Sequence, residues 1–135
     1  MAFVPLSFDE GKVLELQCTA STTFTKHALV KYSSGYLTNA ADGDDEVEYV
    51  ALEAKVTGAS NGELLKVLPI DETILFEALC SATPVQATHV GNAYDLDDDK
   101  TVKVGTATDK LFHIHKISNA GSLLVIGNFN KPGIA

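Results

Sequence analysis

The segments of this chain that can form regular structure are short β-like runs, and almost every one is bounded by Gly, Asp, Asn, Ser or Pro. The longest, residues 46–56 (EVEYVALEAKV), puts Val47 and Tyr49 on one face. It then slips by one residue and puts Val50, Leu52, Ala54 and Val56 on a face. A period of two with one phase slip predicts a strand carrying a β-bulge rather than an amphipathic helix. Runs this short, with a turn about every ten residues, predict an all-β fold: a single small antiparallel β-barrel or sandwich.

Strands are expected at residues 12–18, 28–32, 36–38, 46–56, 64–70, 86–90, 93–96, 101–104, 111–117 and 122–129. Ser33-Ser34-Gly35 predicts a tight hairpin turn, and residues 39–45 (NAADGDD) a second turn with Asp42-Gly43 at a left-handed corner. Residues 73–79 fit a strand, because Ile and Phe favour strands, but also fit two helical turns with Ile74, Leu75, Ala78 and Leu79 on one side. Pro69 and Pro84 bracket that stretch and stop any long element. The resulting organisation is an N-terminal arm over residues 1–11, one β domain over residues 12–129 and a C-terminal tail over residues 130–135.

A chain of 135 residues suffices for one domain that buries roughly two-thirds of its unfolded surface. Its net charge of −8 and its lack of arginine argue against nucleic acid and anionic membrane as partners, since phosphate recognition needs a positive patch. The N-terminus lacks a basic region followed by a long apolar stretch, so no secretion signal is expected. No run reaches the roughly 18 apolar residues of a membrane-spanning helix. Cys18 and Cys80 fit no Cys-x-x-Cys motif and each lies in an apolar run, which predicts two buried thiols in a chain made in a reducing cytoplasm.

Candidate chemistry is sparse. His113 and His115 have the i, i+2 spacing of some metal sites, and in a strand they share a face with Leu111 and Ile117. A resident metal needs at least a third ligand, and neither His27 nor His89 sits at a recognisable spacing, so a structural or solvated pair is expected. The acidic runs at residues 42–48 (DGDDEVE) and 95–99 (DLDDD) suggest calcium, yet neither has the spaced carboxylates and distal glutamate of a calcium loop. They read as solvated hairpin tips. Gly-x-Ser-x-Gly and glycine-rich phosphate loops are absent, and no set of catalytic residues is complete, so neither an enzyme nor a cofactor is expected. The apolar segment Phe3, Val4, Leu6 and Phe8 around Pro5 either folds back over the core or packs against a neighbour. Phe3, Leu6, Phe8 and Phe129 are the candidate protein-interface residues.

Several phrases carry a family resemblance. Glu10-Gly11-Lys12-Val13-Leu14-Glu15-Leu16 is followed by Ala28-Leu29-Val30-Lys31-Tyr32, then by Gly35-Tyr36-Leu37-Thr38-Asn39-Ala40, an acidic turn and residues 47–56. Later, Val90-Gly91-Asn92-Ala93-Tyr94-Asp95-Leu96 precedes an Asp-rich turn, Thr101-Val102-Lys103-Val104 and a closing strand over residues 112–117. In rhythm and phrase the chain resembles the small, acidic capsid decoration (cement, head-stabilising) proteins of tailed bacteriophages. The resemblance implies a non-enzymatic β-protein on the capsid exterior, in contact with the major capsid protein and with copies of itself, as in a trimer. Alternatives are another virion subunit, such as a tail or head–tail connector component, and a free metal- or glycan-binding β-module.

Overall fold

The computed structural model describes residues 3–42, 44 and 47–130. Apart from one 3-10 turn (Glu10–Lys12) and one helical turn, α1 (Gln86–His89), its regular structure is all β. The strands are β1 (Val4–Pro5), β2 (Leu14–Gln17), β3 (Thr23–Phe24), β4 (Leu29–Ser33), β5 (Tyr36–Asn39), β6 (Tyr49–Ala51) and β7 (Lys55–Val56). They continue with β8 (Leu64–Pro69), β9 (Phe76–Cys80), β10 (Ala93–Leu96), β11 (Thr101–Lys103), β12 (Phe112–Ile117) and β13 (Leu124–Phe129).

The C-terminal half closes into a five-stranded barrel in the order β9-β11-β10-β12-β13, with β13 returning to β9. Alternation along its strands dictates the filling. Phe76, Ala78 and Cys80 from β9, Val102 from β11, Tyr94 and Leu96 from β10, Phe112 and Ile114 from β12, and Val125 and Phe129 from β13 form one buried cluster. One pairing departs from the antiparallel expectation: β11 runs parallel to β9, with Thr101 opposite Leu79 and Val102 opposite Cys80. Gly127 sits where β12 and β13 approach most closely, because a Cβ there would lie 2.0 Å from the His113 carbonyl oxygen. Any side chain at that position would have to push the two strands apart.

The N-terminal half forms an antiparallel sheet, β2-β8-β6-β4-β5, which curls around a second cluster of Cys18, Phe24, Val30, Leu37, Tyr49, Ala51, Leu65 and Val67. A single bridge between Cys18 and Leu37 joins its two edges. The opposite face of the sheet supplies Leu29, Val50 and Leu68 to the barrel's cluster, so one apolar body spans both sheets. The β4–β5 hairpin turns on Ser34 (φ 53°) and Gly35 (φ 86°), the paired left-handed residues of a type I′ turn, as Ser33-Ser34-Gly35 predicts. Within residues 73–79 the strand alternative holds from Phe76 onward, as β9, while residues 73–75 precede it outside the strand.

Three expectations are corrected. The phase slip in residues 46–56 is not a bulge: Tyr49 and Ala51 face the second cluster while Val50 faces the barrel, so β6 is buried on both sides. The chain bends after Ala51, and β7 leaves to pair with β3; Glu46 lies outside the described residues. Residues 86–90 form a helical turn instead of a strand, because the His89 imidazole Nδ1 accepts the Val85 N–H at 2.8 Å and closes the turn locally. Of the two readings of the N-terminal segment, the structure takes the one folded back over the core: β1 pairs with β9, the Phe3 N–H donates to the His27 carbonyl at 2.9 Å, and Phe3 is fully buried. Phe129, expected at an interface, closes β13 inside the barrel core. Of the expected tail, residues 131–135 lie outside the described residues, as does the Gly43 corner.

Candidate functional site

Of the four residues expected to meet a neighbour, the structure places two in the core. Phe3 packs edge-on to Phe112 at 5.5 Å between ring centroids and tilts against Phe129 at 5.3 Å. Phe129 also meets Phe76 and Phe112 edge-on. Pairing of β1 with β9 carries Phe3 inward and leaves Leu6 outward, 51% exposed. The Leu6 N–H donates to the Leu75 carbonyl at 2.9 Å, and Leu75 is itself 43% exposed, so two large apolar side chains stand on neighbouring backbones at the surface. Phe8 is half-buried and packs on the barrel core.

Pro5 and Phe8 of the same segment border a groove of about 590 Å³, lined also by Val13 and Leu52 with Glu10, Lys26, His27 and Lys66. His27 anchors it. Its backbone is left-handed (φ 69°), its N–H donates to Ala51 at 2.7 Å, and its carbonyl holds Phe3. Burial, reinforced by the neighbouring Lys26 ammonium, holds the His27 imidazole below its ordinary pKa. Among the described residues, Lys26 and Lys66 have no carboxylate within ion-pair distance. The result is an apolar floor with mixed-charge margins, two lysines and one glutamate. Sequence reasoning found Leu6 and Phe8 but missed Leu75, Leu52, Lys26 and Lys66. Leu75 alone left a readable signal, lying outside the Phe76, Ala78, Cys80 alternation.

The acidic turns are structural. Asp95 is buried, and its carboxylate accepts the N–H groups of Thr108, Asp109 and Lys110 at 3.3, 2.7 and 3.0 Å, fixing the loop before β12. Asp98 accepts from the Lys100 N–H and the Thr101 hydroxyl, both at 2.8 Å, and so closes the β10–β11 hairpin. Asp44 caps Ala41 and pairs with Lys31 at 2.8 Å, while Asp42 pairs with Lys103 at 2.8 Å; Asp45 and Glu46 lie outside the described residues. Among the described residues, no three His, Cys, Asp or Glu side chains converge as a metal cluster.

His113 and His115 do meet, with ring centroids 4.6 Å apart. Leu111 and Ile117 do not share the face of the two histidines: Leu111, just before β12, is fully buried, and Ile117 packs on the core after β12 shifts register between Ile114 and Lys116. Both cysteines are free and buried, as expected. Burial raises both thiol pKa values, with Cys80 pushed up to about 11. Among the described residues, no helix is long and apolar enough to cross a membrane.

No protein-family model matches the chain, and no curated protein matches it.

Proposed function

We propose that this protein is a non-enzymatic virion structural protein that binds the outer capsid surface and stabilises the shell, with the major capsid protein and further copies of itself as partners. One observation carries the proposal. The N-terminal segment, instead of hanging free, is pinned to the barrel as β1, and it holds Leu6 beside Leu75 at the surface. Strand β1 ends the order of its sheet, so no described strand covers its outer edge. A preordered apolar edge loses less conformational entropy on docking than a free tail would. Symmetry on a particle multiplies modest contacts of this kind into high avidity. The sequence resemblance to phage decoration proteins points the same way.

The deciding experiment is quantitative mass spectrometry of density-purified particles from the lysate in which the chain is made. The expected result is hundreds of copies, near one per shell subunit or a simple fraction of that. A few to a few tens of copies would instead assign a tail or connector role, and absence from the particle would end the virion reading. The paired variant Leu6→Ser/Leu75→Ser should fold normally and lose particle binding.

A further inference from the structure

We propose that His113 and His115 form a surface chelate for a borderline divalent metal ion, Cu²⁺, Ni²⁺ or Zn²⁺, oriented by Asn128. The argument starts from β13, where Asn128 stands opposite His113. The Asn128 amide nitrogen donates to the Glu72 carbonyl at 3.1 Å, which fixes the amide's orientation and aims Oδ1 at His115. His115 Nε2 lies 2.7 Å from that Oδ1, an acceptor only, so Nε2 carries the proton and donates. The neutral ring's remaining lone pair is therefore on Nδ1. A histidine held through one N–H while the opposite nitrogen stays open is the usual arrangement behind a metal ligand.

The second ring fits the same purpose. His113 makes no side-chain hydrogen bond among the described residues, and it borders an open pocket of about 350 Å³ with Asn92, Tyr94, Lys110 and Asn130. The two ring centroids are 4.6 Å apart and the planes tilt by 36°. Two imidazoles bound at about 90° through bonds of about 2.0–2.1 Å have ring centres about 4.5 Å apart, which matches the spacing of this pair. Water completes the coordination sphere. Softer ligands are out of reach, because both thiols are buried in the two cores. His89 is engaged through Nδ1 with Val85, and His27 lies in the groove beside Lys26. Lys110 borders the site and opposes a cation, but it is exposed, so ions in solution screen it.

The test is isothermal titration of the untagged full chain near neutral pH with each metal alone, paired with electron paramagnetic resonance of the Cu²⁺ form. The expected result is one ion per chain, tightest for Cu²⁺, weaker for Ni²⁺ and Zn²⁺, and no binding of Mg²⁺. The Cu²⁺ spectrum should show two coordinated imidazole nitrogens. His113→Ala and His115→Ala should each weaken binding ten-fold or more. Asn128→Leu, checked by circular dichroism for an intact fold, should weaken binding 10–100-fold through the freed His115 ring. Absence of saturable binding, or binding that survives both β12 histidine variants, would overturn the chelate. Unchanged affinity in Asn128→Leu would overturn the orientation assigned to His115.

Discussion

Replacing Phe3 with alanine separates an N-terminal segment that is part of the fold from one that only reaches for partners. Phe3 is fully buried and its ring touches the rings of Phe112 and Phe129. A buried aromatic removes about 150–250 Å² from water. At about 25 cal/mol per Å² the whole side chain contributes about 4–6 kcal/mol. Alanine keeps the Cβ and the site relaxes in part, which places Phe3→Ala in the middle of the usual range for such truncations, about 4 kcal/mol. With a urea slope of about 2 kcal/mol per molar, the unfolding midpoint should fall by about 2 M with the slope unchanged. Leu6→Ala is the internal control: two positions from β1's first residue but 51% exposed, it should cost about 0.5 kcal/mol or less. A free arm predicts that both variants unfold like the parent. If Phe3→Ala lies within about 1 kcal/mol of the parent, the inward placement of Phe3 is refuted, and deletion of residues 2–8 would then spare the core.

Gly127→Ala should destabilise by about 3 kcal/mol or more, or prevent folding, because its Cβ would fall 2.0 Å from the His113 carbonyl oxygen on the facing strand; a thermal melt within a few degrees of the parent would contradict that close approach. Asp95→Ala takes away the acceptor of three backbone N–H groups and should cost about 2–3 kcal/mol, with hydrogen exchange accelerated at residues 108–110 above all. Cys80 gives a pH signature. Its folded pKa of about 11 exceeds the ordinary value, so the unfolded chain loses this proton first, and stability should hold below about pH 8.5 and fall between about pH 9 and 11, by at most about 1.4 kcal/mol per pH unit. Cys80→Ala should flatten part of that fall, and parallel curves for the two proteins across that range would refute it. Above pH 10, Tyr49, pushed up to about 12 chiefly by burial, adds a loss of the same sign.

The β architecture was legible because it rests on local rules. Alternation places Phe76, Ala78 and Cys80, or Phe112 and Ile114, on one face whatever the partner strands are, and Ser34-Gly35 turns a hairpin on its own backbone preferences. Two of the failures depend on something distant in sequence, and one on a local side-chain bond that leaves no periodic signal. Residues 49–51 look like a phase slip only while one face is assumed wet; a second sheet covering Val50 makes consecutive buried residues the natural pattern for a central strand. The helical turn at Gln86–His89 depends on a histidine nitrogen reaching back to Val85, a bond that competes with strand pairing and has no periodicity to read. The parallel β9–β11 pairing needs the chain to lay down β10 first and then return β11 into the place between β9 and β10, and no single run of sequence records that.

The surface was less legible, and the N-terminal segment shows why. Its apolar residues signal burial but not by whom, and the same letters suit a strap on the chain's own core and an arm on a neighbour. The structure divides them by one residue of register: with Val4 opposite Glu77, Phe3 reaches the aromatic cluster and Leu6 faces out next to Leu75. Shifting that register by one residue would exchange the two faces, burying what is now exposed and exposing what is now buried. Core and proposed contact surface are therefore coupled through β1. A substitution that loosens Phe3 should also scatter Leu6, whereas one confined to Leu6 and Leu75 should remove the contact and leave the barrel standing. Comparing Phe3→Ala with Leu6→Ser/Leu75→Ser, for stability and for particle binding on the same preparations, distinguishes a surface organised by the core from an appendage. Loss of particle binding in both, with loss of stability in the first alone, is the pattern this coupling requires.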